Sequence, residues 1–239
     1  MKIDVFDDAD SVARAGAEVI ARQCRAAIES RGRFVMAVSG GHTPWNMFRL
    51  LAREELSWSR VHVFQVDERV APPDDPDRNL KALRESLLNR STLPPEQIYA
   101  MPVESADLTL AAARYSATLR EIAGSPPMLD LVHLGLGPDG HTASLVPGDP
   151  VLDVTDVDVA VSRAYQGRQR LTLTYPVLNR ARSILWIVTG TDKSGMLRRL
   201  ADGDLSIPAG RVRRDDAIVL ADREAAARLS PRSRSTKGE

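Results

Sequence analysis

Four short apolar runs constrain this chain more than any other feature, because each ends abruptly in glycine or charge. They are "RFVMAVSGG" (33–41), "VHVFQVDER" (61–69), "LDLVHLGLG" (129–137) and "SILWIVTG" (183–190). Each is short for a helix and apolar on successive residues, the pattern of a strand buried on both faces. Such strands belong to parallel sheets with helices packed on either side. The intervening segments supply those helices: residues 10–30, "TPWNMFRLLA" with Thr43 as N-cap and Pro44 at the first helical position, "NLKALRESLLN", residues 107–123, and "DKSGMLRRLADG" closed by Gly203. "IDVF", "RLTLTY" and "DAIVLAD" read as further strands and "REAAARL" as a last helix. The alternation predicts an α/β fold: a mostly parallel, doubly wound, Rossmann-like sheet with helices on both faces. One domain is expected over residues 1–230, with a polar, frayed tail over 231–239.

Composition narrows the function classes. Hydrophobic residues make up 43% of the 239 positions and aromatics only 5%, so the core must be built from Val, Leu, Ile and Ala. Lys+Arg and Asp+Glu balance at 32 each, and no global field favours DNA or an anionic membrane. The start "MKIDVFDDAD" lacks the apolar segment of a signal peptide, and no run is long enough to span a bilayer. The expectation is a soluble, cytoplasmic monomer or homodimer with no nucleic-acid or membrane partner. Cys24 shares an apolar helix face with Ala13, Ala17, Ile20 and Ala27, and is expected to be buried and inert.

In sheets of this class, ligands lie at the carboxyl ends of the strands. Those ends carry "SGGHT", "DER", "GPDGH" and "TGTDK", so small, charged and proton-carrying residues collect where the fold rule puts a site. Ser39, Gly40, Gly41 and Thr43 open a helix with amides and hydroxyls, the makings of a phosphate seat; the lysine of a P-loop is absent. Ser39 lacks the G-x-S-x-G elbow of a hydrolase nucleophile. Arg69 is placed to grip an anion, and Asp67 to orient a hydroxyl or a histidine. Arg78 follows a Pro/Asp loop, and Arg170 and Lys193 follow or begin strands; each is a further cation for a phosphate. Gly135, Gly137 and Gly140 satisfy G-x-G-x-x-G, but Pro138 lies inside the motif and "TASLVPGDP" ends any helix a dinucleotide would need. The acid–base reading of the same loop is stronger: neutral imidazole at His141 accepts a proton near neutral pH, with Asp139 two residues away. His133 lies within a strand and reads as packed, and no spacing of histidines and Cys24 makes a metal site.

Taken together, "VSGGHTP", "FQVDERVAPPDDPDRN", "LGLGPDGHTASLVPG", "RLTLTYPVLN" and "VTGTDK" occur in the order found in 6-phosphogluconolactonases, which the chain resembles over residues 35–220. The resemblance implies a fold similar to glucosamine-6-phosphate deaminase and ribose-5-phosphate isomerase. It implies hydrolysis of 6-phospho-D-glucono-1,5-lactone to 6-phosphogluconate, the second step of the oxidative pentose phosphate pathway, with no cofactor and no metal. It makes His141 the base that activates water and Asp67 and Asp139 supporting acids. Ser39, Gly40, Gly41, Thr43, Arg69, Arg78, Arg170 and Lys193 become the sugar-phosphate site. Two positions depart from the pattern: His42 stands where Ser is common, and Val146 where Phe is common. The alternatives are an amino-sugar phosphate deaminase or isomerase, whose loop carries a carboxylate where this chain has Val146, and a non-catalytic sugar-phosphate sensor.

Overall fold

A computed structural model describes residues 1–41 and 44–230; His42, the expected cap Thr43 and the tail 231–239 lie outside the described residues. In chain order the elements are β1 (Lys2–Phe6), α1 (Ala9–Arg31), β2 (Phe34–Val38), α2 (Pro44–Leu51), β3 (Val61–Gln65), β4 (Asp67–Arg69), α3 (Asn79–Ser86), β5 (Ile98–Tyr99) and α4 (Leu108–Ala123). They continue with β6 (Leu131–Leu134), β7 (Val159–Tyr165), β8 (Arg168–Leu173), α5 (Tyr175–Arg180), β9 (Ser183–Val188), α6 (Ser194–Asp202) and β10 (Ala217–Asp222).

The described residues form a seven-stranded parallel sheet in the order β1-β10-β9-β6-β2-β3-β5. Alternate residues of each central strand serve opposite faces. Phe34, Met36 and Val38 of β2 and Leu185 and Ile187 of β9 pack with α1, α2 and α3. Val35 and Ala37, with Ile184, Trp186 and Val188, pack with α4, α5 and α6. This is why the strands read as unbroken apolar runs. The long α1 is held at both ends: the Asp8 carboxylate accepts from Ser11 N at 2.7 Å, and Gly32 closes the helix with φ 76°. Cys24 is fully buried on its inner face, where desolvation pushes the thiol up to about 12.

The run 61–69 divides between two sheets. After β3, Val66 N–H donates to the Val38 carbonyl of the large sheet and the Val66 carbonyl accepts from Leu173 N–H of β8. Beyond it β4, β8 and β7 form a small antiparallel sheet, pairing Asp67 with Thr172 and Arg69 with Arg170. The expected helix "REAAARL" is instead a single 3-10 turn, Ala225–Arg228.

Strand order reverses between β2 and β6, which are hydrogen-bonded neighbours. The crevice at such a reversal is where α/β sheets of this kind bind ligands. The glycine loop after β2 and the "GPDGH" loop after β6 open side by side into it, joined by Ser39 N–H donating to the His133 carbonyl at 3.2 Å.

Candidate active site

A cleft of about 580 Å³ occupies this crevice, lined among others by Ser39, Gly40, Gly41, Asp67, Arg69, His141, Arg170 and Lys193. Residues from the ends of β2, β6 and β9 and from the small sheet are thereby brought together across more than 150 positions of sequence.

The loop after β6 is shaped around the imidazole. Gly137 N–H donates to the His141 carbonyl at 2.8 Å, Gly140 N–H to the Gly137 carbonyl at 3.0 Å, and the Thr142 hydroxyl to the Gly135 carbonyl at 2.9 Å. The His141 ring lies directly over Gly137, where any Cβ would collide with it. Gly140 takes φ 85°, a conformation that favours glycine. Two of the three motif glycines thus serve the turn and the ring. Residues 141–153 hold turns and a 3-10 turn at Pro150–Asp153 rather than the helix a dinucleotide needs.

Asp139 Oδ1 lies 2.5 Å from His141 Nδ1 and also accepts the His141 backbone N–H at 3.1 Å. With Nδ1–H given to the carboxylate, Nε2 is the nitrogen left to take a proton. Partial burial works to raise the Asp139 carboxyl, but the His141 N–H, the His141 ring and the Tyr165 hydroxyl outweigh it and hold the carboxyl below its usual range.

Asp67 is buried at the back of the cleft. Its Oδ2 accepts from the Ser144 hydroxyl at 2.7 Å, and Asn79 Nδ2 donates to its backbone carbonyl at 3.0 Å. Burial pushes its carboxyl up, against the Ser144 hydrogen bond and the positive charges of Arg170 and Arg69. Arg69 and Arg170 are paired directly across β4 and β8. Arg69 Nη1 donates to the Asp77 carbonyl and to Asn79 Oδ1, at 2.5 and 3.1 Å; Arg170 Nη2 donates to Gln166 Oε1 at 3.4 Å. Their hydrogen-bond partners are neutral oxygens, which leaves the charge to act on the cleft. Lys193 also lines the cleft and pairs with Asp192 at 2.9 Å.

The structure does not bring Arg78 to the cleft. It is 2% exposed and turned inward, with Nε 3.3 Å from Glu68 and Nη1 2.7 Å from Glu104 and 2.8 Å from the Ala71 carbonyl. A buried guanidinium needs carboxylates, and Glu68 supplies one. Glu68 is fully buried and also accepts the N–H groups of Asn79 and Leu80 at 2.8 Å each, satisfying the first turn of α3 from a distance. Arg78 and Glu68 therefore hold Asn79, and Asn79 lines the cleft. Gly40 is the counterpart of that placement, since a Cβ there would overlap the Asn79 amide.

Asn79, Tyr165 and His133 line the cleft without having been expected as site residues. His133 is 1% exposed, edge-on to Phe48 at 5.5 Å, and neither ring nitrogen has a partner among the described residues. Burial pushes it down to about 3. Val146, where the deaminase pattern carries a carboxylate, is buried. Among the described residues no three His, Cys, Asp or Glu are grouped to hold a metal ion, and no helix is long and apolar enough to cross a membrane.

The family model described as glucosamine-6-phosphate isomerases/6-phosphogluconolactonase matches residues 7–220. A 6-phosphogluconolactonase of Nostoc sp. is 34% identical, covering 95% of this chain and 98% of that protein. The 6-phosphogluconolactonase structure from Trypanosoma brucei superposes with a TM-score of 0.84 at 26% identity, covering 96% of this chain and 98% of the other. A monomeric glucosamine-6-phosphate deaminase shares the fold, with a TM-score of 0.82 at 21% identity over 95% of this chain and 100% of that one. The loops that build the cleft fall inside the matched span, and the chain belongs to the glucosamine-6-phosphate isomerase/6-phosphogluconolactonase family.

Proposed function

We propose that this protein hydrolyses 6-phospho-D-glucono-1,5-lactone to 6-phosphogluconate, with His141 as the base. The observation that carries the reading is the Asp139–His141 pair, whose free Nε2 belongs to a cleft that also presents Arg69, Arg170 and Lys193. A lactone is an activated ester, and its hydrolysis needs a placed water, a base and a stabilised oxyanion. His141 Nε2 takes a proton from water as the oxygen bonds to C1. The C1–ring oxygen bond then breaks, and the imidazolium returns the proton to the departing ring oxygen. General base assistance of this kind contributes roughly 10²–10⁴-fold. Asp139 fixes the tautomer and steadies the imidazolium.

The remaining residues divide by charge. The glycine loop with Ser39, Gly40, Gly41 and Thr43 seats the phosphate at the start of α2, with Arg69 and Lys193 as its cations. Phosphate binding remote from C1 positions the ring. Arg170 and Asp67 form a charged wall between phosphate and reacting carbon, with Asp67 tying Ser144 and Asn79 into it. Arg78 acts through Glu68 and Asn79. The buried Val146 supports lactone hydrolysis over deamination, whose loop pattern carries an acid there.

The test is the decay of freshly generated lactone, measured against its spontaneous rate, with wild type and His141→Ala. Acceleration by wild type and not by the variant is expected. Equal acceleration by both removes His141 from the role of base. Ammonia release from glucosamine 6-phosphate would turn the assignment to the deaminases, and tight 6-phosphogluconate binding without hydrolysis would turn it to a sensor.

A further inference from the structure

Tyr165 is the end of β7, and three separate contacts tie it to the reacting groups. Its hydroxyl donates to Asp139 Oδ2 at 3.1 Å, on the oxygen that does not hold His141. Its ring meets the His141 imidazole edge to face, with centroids 5.4 Å apart. The Arg170 guanidinium lies over the same ring, 5.1 Å from the centroid. The backbone is arranged for this. Pairing of β7 with β8 slips by one residue between Ser162 and Tyr165, a bulge of the kind that re-aims a side chain. Gln166 and Gly167 then turn with φ 53° and 79° straight into β8.

We infer that Tyr165 is a positioning residue for the reaction: its hydroxyl holds the Asp139 carboxylate in the orientation that grips His141 Nδ1, and its ring seats Arg170 beside that pair. The inference rests on His141 being the base. A carboxylate with one free oxygen rotates, and accepts protons from water or substrate hydroxyls in the cleft. The phenol occupies that oxygen. It also draws charge from the carboxylate, which moderates how strongly Asp139 stabilises the imidazolium. Other charges face the pair from three directions: Asp67 and Arg69 on β4, Arg170 on β8, and Asp192 with Lys193 before α6. Tyr165→Phe alters none of them and keeps the ring under Arg170, so it isolates the hydroxyl.

Losing the hydroxyl leaves Asp139 more basic, and His141 then holds its proton to higher pH. The acid limb of kcat/KM in Tyr165→Phe is expected to move to higher pH. At neutral pH kcat is expected to fall ~3–10-fold, the effect of one hydrogen bond, with KM little changed. Titration of the His141 ring by NMR, followed without substrate, should show the same upward displacement. In an Asp139→Asn background the Tyr165→Phe change should displace nothing further. Tyr165→Leu, which also removes the ring face, should raise KM. If the His141 titration and the acid limb of Tyr165→Phe superpose on wild type, the inference is overturned. The NMR arm needs no turnover: absence of lactonase activity in wild type would defeat the functional reading, while the coupling of Tyr165 to His141 would still be answered.

Discussion

Gly137 and His133 show how much a single position carries here. A methyl at Gly137 has to enter the space of the His141 ring. Gly137→Ala is expected to lower kcat/KM by about 10²-fold, the usual cost of displacing a reacting group by an ångström, while thermal unfolding changes little. His133 makes a different prediction. The unfolded chain takes up a proton on this imidazole near its usual ~6.5, which the folded protein refuses until about 3. The stability it permits is therefore complete above ~6.5 and is lost as pH falls toward 3, by at most ~1.4 kcal/mol per pH unit. His133→Leu should flatten the stability profile between pH 4 and 6, read by urea denaturation at stepped pH. A variant as acid-sensitive as wild type would acquit His133.

Helix α3 is an element whose position depends on one buried acid. Glu68 takes its first N–H groups, the Arg78 guanidinium and the Gln65 amide, and it has no access to solvent. Glu68→Ala takes from the buried Arg78 guanidinium its one buried carboxylate and leaves two helix donors without their acceptor, and should cost about 3 kcal/mol in denaturant unfolding. Activity should drop beyond the loss of folded protein, because Asn79 and Arg69 lose their seat. These elements also mark what a reader of the sequence can and cannot see. The strands of the large sheet are visible because both faces are buried, and the site loops because glycine and charge interrupt apolar runs. The small sheet is not, since β4 is only three residues of "DER" and pairs with a strand a hundred positions away. Arg78 sits in a loop and misleads for the same reason. Nothing within reach of it in sequence tells which carboxylate it meets, and Glu104 and the cleft are equally open to it until the chain is folded. Tyr165 contacts Asp139 across 26 residues, and no local pattern announces it.

The described residues form two apolar cores, one on each face of the large sheet, and the cleft opens at the sheet's end rather than within either core. Ligand binding should therefore tighten loops from four strands at once. At 6-phosphogluconate concentrations of a hundred times Kd, stabilisation of about 2.7 kcal/mol is expected, visible as a rise of several degrees in Tm. Arg69→Ala with Lys193→Ala should abolish most of that rise, and added salt should reduce it in wild type. A rise that survives the double change would place the anion elsewhere.

Val66 lends its N–H to one sheet and its carbonyl to the other. A joint one peptide long leaves no slack between the strand that carries the glycine loop and the sheet that carries the arginine pair. The β7–β8 turn hangs beyond this joint and touches the reacting groups only through its tip. Length changes at Val66 would unseat the whole mouth, whereas a change in the turn outside Tyr165 and Gln166 would leave the joint as it is. Variation in what such a protein accepts as substrate would then accumulate in the turn around a fixed Tyr165 and be forbidden at the joint.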